Sequence, residues 1–464
     1  DKLETTLDLI RSRRSFEPVA IRQKLSDEDV ARFAVLRPYL PGVEVRAGLA
    51  RNYPNQSTAA HTLGYMGAIG IDDKERLDTA AYAGTSYIGK TAIERSYENE
   101  LHGTPGKTEI LVNVHGRAIQ TLNSELSAPG KDLVLTLDLP TQLVAEAALA
   151  GRRGSVVAID PNNGEVLVFA SAPAFDPNQF TGGISIKNYR ALQGDFDQPL
   201  FNRSLRGRYP PGSTIKPIIG LTALDHNVSG ARHKMLCRGY YSLPGKTHRY
   251  RDWKPEGHGI VDMHDAIAQS CDTYFYELAV DLDIDKIEVA LKQFGLGRKT
   301  GIDIGGESAG IVPSREWKRN NFKKRDDKVW FPGETVITGI GQGYLLATPL
   351  QLAEATATMA ARGKHYQPIL VKALLDPITG VSKPQKHIEK ESISGISDKD
   401  WEEVINAMRG VIKDPKGTAR SIGYRATYSI AGKSGTAQVF SVAQDAEYDE
   451  EEVAERMRDH ALFI

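Results

Sequence analysis

RYPPGSTIKP, residues 208–217, sets a serine and a lysine three positions apart behind two prolines and a glycine. The apolar run IIGLTAL follows at 218–224. A helix beginning at Ser213 would put residues i and i+3 on one face, so the Ser213 hydroxyl and the Lys216 amine become neighbours. The first turn of a helix also carries backbone N–H groups without intrahelical partners. Such groups can hold the oxyanion formed when a serine attacks a carbonyl. Pro217 is tolerated there, because first-turn N–H groups have nothing to lose. Serine needs a base before it is a useful nucleophile. Lys216 can be that base if burial or a second cation lowers its pKa.

Two further stretches extend the pattern. AGKSGTAQ, residues 431–438, supplies the second cation as Lys433 in a strand-like context with Ser434, Gly435 and Thr436. A glycine at 435 leaves room for a ligand backbone to lie along that strand as an added edge. Lys433 and Thr436 could then hold a substrate carboxylate. QSCDTYFYEL, residues 269–278, reads as a helix start with Ser270 and Asp272 as caps. Each stretch alone is ordinary. Together, in this order, they form a catalytic constellation.

S-x-x-K, then S-x-N/D, then K-T/S-G resembles the penicillin-binding protein and serine β-lactamase superfamily. The hairpin VVAIDPNNGEVLVFAS (156–171), FDPNQF (175–180), RYRDW (249–253), TGIDIGGE (300–307) and GIGQGYLLATPLQLA (339–353) carry the resemblance further. So do RNYP (51–54), HTLGYMG (61–67) and IGKTAIE (88–94) nearer the N-terminus. Together they are similar to class B penicillin-binding proteins, specifically the elongation type, penicillin-binding protein 2, of Gram-negative bacteria. The likeness runs from about Leu49 to Ile464. It implies an α+β transpeptidase domain behind an elongated mixed N-terminal domain. It implies that Ser213 is acylated, that Lys216 deprotonates it and that Ser270 relays the proton to the leaving group. Lys433 and Thr436 would bind the carboxylate of a D-Ala-D-Ala stem peptide, and the N–H groups of Ser213 and Thr436 would form the oxyanion hole. β-Lactams would trap Ser213. The resemblance also implies a membrane glycosyltransferase and an elongation scaffold as partners, one N-terminal membrane helix in the native chain, and a place on the periplasmic side of the inner membrane. A D,D-carboxypeptidase or β-lactamase shares the same acylation and is the alternative. Asp272 departs from the commoner Asn; an ionised carboxylate accepts hydrogen bonds and donates none.

The 464 residues are too many for one ordinary core. The expected division is an N-terminal domain at 1–125, a turn-rich linker at 126–132, and the catalytic domain at 133–464. Lys plus Arg total 58 and Asp plus Glu total 59, so no charge excess points to nucleic acid. No apolar run approaches the roughly 18 residues that span a bilayer. The chain begins at Asp1 and ends on the apolar run HALFI, and both ends read as artificial, with further sheet strands expected.

GTSYIGKT, residues 84–91, matches the spacing of a phosphate-binding loop. Such a loop needs a buried strand before it and a helix after it. The preceding DDKERLDTAAYA is polar, so an NTPase is only a remote alternative.

Cys237 and Cys271 are the only two cysteines, with Asp252 and His258 between them. This is a complete set of zinc ligands for a structural site, although its spacing is not a standard one. A disulfide, or two unrelated buried thiols, are the alternatives. His248 and His264 are substitutes for His258. No cofactor is expected for catalysis.

Overall fold

The computed structural model describes residues 4, 7–8, 10–11, 19–22, 25–75, 77–78, 81–82, 85–114, 118–438 and 458–464. The helix expected within residues 2–14 lies largely outside them. Among the described residues, no helix is long and apolar enough to cross a membrane.

The chain forms two compact units. The first comprises 1–134, 174–200 and 373–383; the second comprises 135–173, 201–372 and 384–464. The single cut expected at 126–132 is therefore corrected. The boundary falls at 134/135, and two later segments join the first unit. The physical reason is an aromatic cluster. Phe175 and Phe180 bury themselves with Ala60, and Tyr65 and Tyr189 pack against them. Tyr65 stacks on Phe180 at 3.9 Å between ring centroids. Asn178 fixes the register: its Oδ1 accepts from Tyr53 N at 2.9 Å and its Nδ2 donates to Tyr53 O at 2.8 Å.

The phosphate-loop spacing dissolves in this unit. Tyr87–Gly89 is a strand, Thr91 is an N-cap, and the helix after it, Ala92–Ser96, has only five residues. Lys90 is ion-paired with Asp73. A Cβ at Gly89 would lie 1.9 Å from Glu94 O, so this glycine serves close packing. Gly84 lies outside the described residues. Two short helices follow, Ala92–Ser96 and Glu98–His102, broken at Tyr97. Asp27–Leu36 is a helix as its Ser26 cap foretells; the Ser26 hydroxyl and Asp29 carboxylate form a reciprocal capping box. Lys107–Val112 pairs antiparallel with Ala118–Glu125, while the turn at 115–117 is not described.

The second unit holds the large core. Gly154–Ile159 and Val166–Ala172 form the antiparallel hairpin around DPNNG. The helix Lys216–Asp225 is buried along nearly its whole length. It packs with Met263–Ala268, Asp272–Gln293 and Asp398–Lys413 around Ile219, Leu221, Phe275 and Val411. Ser434–Ala437 pairs antiparallel with His460–Phe463, so the terminal apolar run is the partner of the KSG strand.

Replacing Asn178 with Ala removes the two hydrogen bonds that its half-buried amide makes to the Tyr53 backbone and leaves Tyr53 N without the Asn178 acceptor. The loss should be about 1–3 kcal/mol, read as a lower midpoint of the N-terminal unit in chemical denaturation. An unchanged midpoint contradicts the packing described.

A candidate active site built on two buried lysines

The expected helix start at Ser213 is corrected. Gly212–Ile215 is a 3-10 turn, and the α-helix begins at Lys216 with Pro217 in its first turn. Gly212 makes this turn with φ +54, a conformation glycine adopts at little cost. Its N–H donates to Gly341 O at 2.9 Å. The serine is half-buried, whereas Lys216 is fully buried.

Lys216 makes its bonds at the start of the helix Asp272–Gln293. Its Nζ donates to Ser270 O at 2.9 Å, to Ser270 Oγ at 3.3 Å and to Asp272 Oδ1 at 2.7 Å. No hydrogen bond joins Ser213 Oγ to Lys216 among the described residues. Ser270 has φ +61, a left-handed conformation rarely taken by residues other than glycine. Neither Ser270 nor Asp272 is the helix cap. Cys271 occupies that position without a side-chain bond. The cap comes from across the loop: Asp252 Oδ2 accepts from Thr273 N at 2.9 Å and Thr273 Oγ1 at 3.1 Å.

Lys433 is also fully buried. Burial, and then the Lys216 cation, push its pKa well below the ordinary lysine range, against a smaller pull from Asp272. Its Nζ donates to Ser434 O at 2.9 Å. Lys433 and Ile464 exchange both backbone hydrogen bonds, at 2.9 and 3.1 Å. Antiparallel ladders alternate bonded and non-bonded pairs, so Ser434 and Thr436 direct their N–H and C=O groups to the other edge. The face of the strand at Gly435 packs on the Ser213 turn: a Cβ there would lie 2.8 Å from Thr214 Cγ2 and 3.2 Å from Pro211 O. Ser213, Lys216, Ser270, Asp272 and Lys433 thus converge, with Thr436 exposed at the rim.

Gln342 is a site residue that the motifs alone do not single out. Its Nε2 donates to Thr436 O at 3.0 Å. Its neighbour Gly341 has φ +78, and a Cβ there would lie 2.1 Å from Gly212 O. Only glycine fits this contact between the loop and the nucleophile turn.

The second cluster lies directly behind Ser270. Ligand atoms of Cys237, Asp252, His258 and Cys271 all fall within 4.8 Å of one another. Cys237 Sγ is 3.5 Å from His258 Nδ1 and 3.6 Å from Asp252 Oδ2. Cys271 Sγ is 3.4 Å from Asp252 Oδ2. Zinc bonded tetrahedrally at about 2.0–2.3 Å sets its ligands roughly 3.3–3.8 Å apart, so this donor set fits the ion. His258 Nε2 is buried without a hydrogen-bond partner among the described residues. The Cys271 thiol, hydrogen-bonded to Cys237, helps hold the latter's pKa down to about 5. Both cysteines are free, so the disulfide alternative is absent. His264 instead bonds Asp414 at 2.8 Å, and the His248 ring packs on Tyr250. Neither takes the place of His258.

Gly341→Ala should destabilise the second unit by about 1–3 kcal/mol, the usual scale for a strained backbone. It should also misplace the Gly212–Ile215 turn. A thermal melt together with covalent labelling by a fluorescent penicillin checks both; a variant normal in each contradicts the contact.

The known proteins that this chain resembles agree with this geometry. The penicillin binding protein transpeptidase domain matches residues 154–463, and the penicillin-binding protein dimerisation domain matches 1–135. A peptidoglycan D,D-transpeptidase MrdA of Acinetobacter baumannii is 43% identical over 98% of this chain, which spans 66% of that relative. The Escherichia coli K12 protein of the same name is 41% identical over 98% of the chain, which spans 71% of it. A crystal structure of Pseudomonas aeruginosa PBP2 in complex with WCK 5153 is 43% identical, with a TM-score of 0.74 over 90% of this chain and 84% of that one. Helicobacter pylori PBP2, solved in complex with MreC, is 28% identical with a TM-score of 0.82, covering 99% of this chain and 84% of that one. The chain belongs to the class B penicillin-binding proteins, of the PBP2 transpeptidase type.

Proposed function

We propose that this chain is the catalytic part of a peptidoglycan D,D-transpeptidase that cross-links stem peptides during cell elongation and is a penicillin target. The observation that carries the reading is the single site in which Lys216 bonds Ser270 and Asp272 while Lys433 lies buried beside it.

Ser213 Oγ attacks the carbonyl of the penultimate D-Ala. The N–H groups of Ser213 and Thr436 receive the oxyanion. The hydroxyl proton passes to Lys216 Nζ in its neutral amine form, and Ser270 Oγ at 3.3 Å offers the route by which that proton moves onward to the leaving nitrogen. The C–N bond breaks, D-alanine departs, and an ester to Ser213 remains. An amine from a second stem then attacks the ester, and Ser213 Oγ leaves with its proton restored. Lys433 and Thr436 hold the terminal carboxylate, which also compensates the desolvated Lys433. Gly435 lets the strand pack closely on the Ser213 turn, and the donor backbone lies along the edge presented by Ser434 and Thr436.

The Asp in place of Asn has a role here that needs no amide donor. One of its oxygens receives Lys216 and the other receives Trp253 N. Asp272 holds the base rather than donating to substrate. Hydrolysis by a carboxypeptidase or β-lactamase would share the same acylation. The N-terminal dimerisation-type domain favours the transpeptidase, because hydrolysis of a small β-lactam needs only the catalytic domain.

Cys237, Asp252, His258 and Cys271 would hold a zinc ion as a structural pin between the loop before 258 and the start of the catalytic helix. Partner proteins follow from the relatives: the Helicobacter protein is solved with MreC, and another similar structure is described as a peptidoglycan synthase complex. An elongation scaffold and a membrane glycosyltransferase are the partners proposed here, on the periplasmic face of the inner membrane.

Intact-mass spectrometry after penicillin treatment should give one long-lived adduct, lost in Ser213→Ala. Rapid turnover of the adduct would favour a β-lactamase, and an adduct that persists in Ser213→Ala overturns the nucleophile. Metal analysis should find about one zinc per chain, with Cys237→Ser losing both the metal and thermal stability. Protein purified without metal and equally stable would contradict the pin.

A further inference from the structure

Trp253 stands at the junction of the two clusters, and its chemistry is divided. The side chain is 59% exposed, yet both of its hydrogen-bond donors point inward. The indole Nε1 donates to Ser270 O at 3.1 Å and to Gln269 O at 3.2 Å. The backbone N donates to Asp272 Oδ2 at 3.1 Å. These acceptors also hold the base: the Ser270 carbonyl and the Asp272 carboxylate each receive Lys216 Nζ.

Ser270 is in the left-handed region, with φ +61. Such a conformation persists only where the surroundings fix it. Two donors on the Ser270 carbonyl, Lys216 from one side and Trp253 from the other, supply that fixing. The residue before Trp253 acts on the same segment: Asp252 caps Thr273 N, a task Cys271 leaves undone. Two consecutive residues, Asp252 and Trp253, therefore hold 270–273 in place.

We propose that Trp253 is a positioning residue for acyl transfer: its two N–H donors fix the Ser270 carbonyl and the Asp272 carboxylate, and so set where Ser270 Oγ stands relative to Lys216 Nζ. Trp253 acts through Ser270 and Asp272 and need not touch substrate. This role rests on the acyl-transfer reading above. It concerns the rate of acylation and leaves recognition of the carboxylate to Lys433 and Thr436.

The test is stopped-flow acylation of Trp253→Phe by a fluorescent penicillin, over a concentration range that separates the limiting rate from the dissociation constant of the reversible complex. The limiting rate should fall about ten- to a hundred-fold, the scale of a misplaced catalytic group. The dissociation constant should stay within about twofold of wild type, because the residues that grip the ligand carboxylate are untouched. A second variant carries β-(3-benzothienyl)alanine at 253, which keeps the ring shape and replaces the indole N–H by sulfur. It should show the same fall, and it alone decides if the Phe variant does not fold. A normal limiting rate in the isostere overturns the proposal, whether the Phe variant is normal or slow. So does weakened reversible binding at an unchanged limiting rate, which would make the ring a ligand contact. A wild-type chain that takes up no penicillin at Ser213 overturns the acyl-transfer reading as well; a labelled wild type with an unaffected isostere overturns only the role of Trp253.

Discussion

Two lysine side chains with no solvent exposure lie close together, and only one of them is paired with a carboxylate. Lys216 takes the close contact with Asp272, at 2.7 Å, and Lys433 is left desolvated with a like charge nearby. Burying an ammonium is costly unless it is paired. The arrangement survives because the surrounding core is large and continuous, running from Ile219 through Phe275 to Val411. The same imbalance makes the site a receptor. An incoming carboxylate would supply the missing charge next to Lys433, and Ser434 and Thr436 direct backbone groups to the edge along which the chain that bears it would lie.

Much of the second unit can be understood as support for that imbalance. Glycines at 212 and 341 let two backbones approach where a Cβ would collide, which sets the serine turn against the 341–343 loop. Gln342 ties the loop to Thr436. On the other side, Asp252 caps the catalytic helix and Trp253 bonds the residues that hold Lys216. The proposed zinc would stiffen the same loop through residues that alternate with the catalytic ones, Cys271 standing between Ser270 and Asp272.

The sequence was legible where chemistry is local. S-x-x-K, S-x-D and K-S-G named Ser213, Lys216, Ser270, Asp272 and Lys433, and the ligand types of Cys237, Asp252, His258 and Cys271, despite a non-standard spacing, named the second cluster. Local rules also found the DPNNG hairpin. They failed where the deciding contact is distant. The helix at Asp272 is capped from residue 252, which no window around 270 contains. Lys216 hydrogen-bonds residues more than fifty positions away. Residues 174–200 join the first unit because Asn178 meets Tyr53, a pairing across 125 positions. The GKT spacing misleads for the opposite reason: it is a local pattern without the strand and long helix that give it meaning.

The electrostatic core of this account can be measured without substrate. Side-chain nitrogen NMR of lysine-labelled protein, followed as pH is varied, reports each ammonium separately. One resonance, absent in Lys433→Ala, should titrate well below the ordinary lysine range and move upward when a carboxylate ligand binds. If every lysine titrates near 10.4, the unperturbed value, the two side chains do not share a buried site and the account fails.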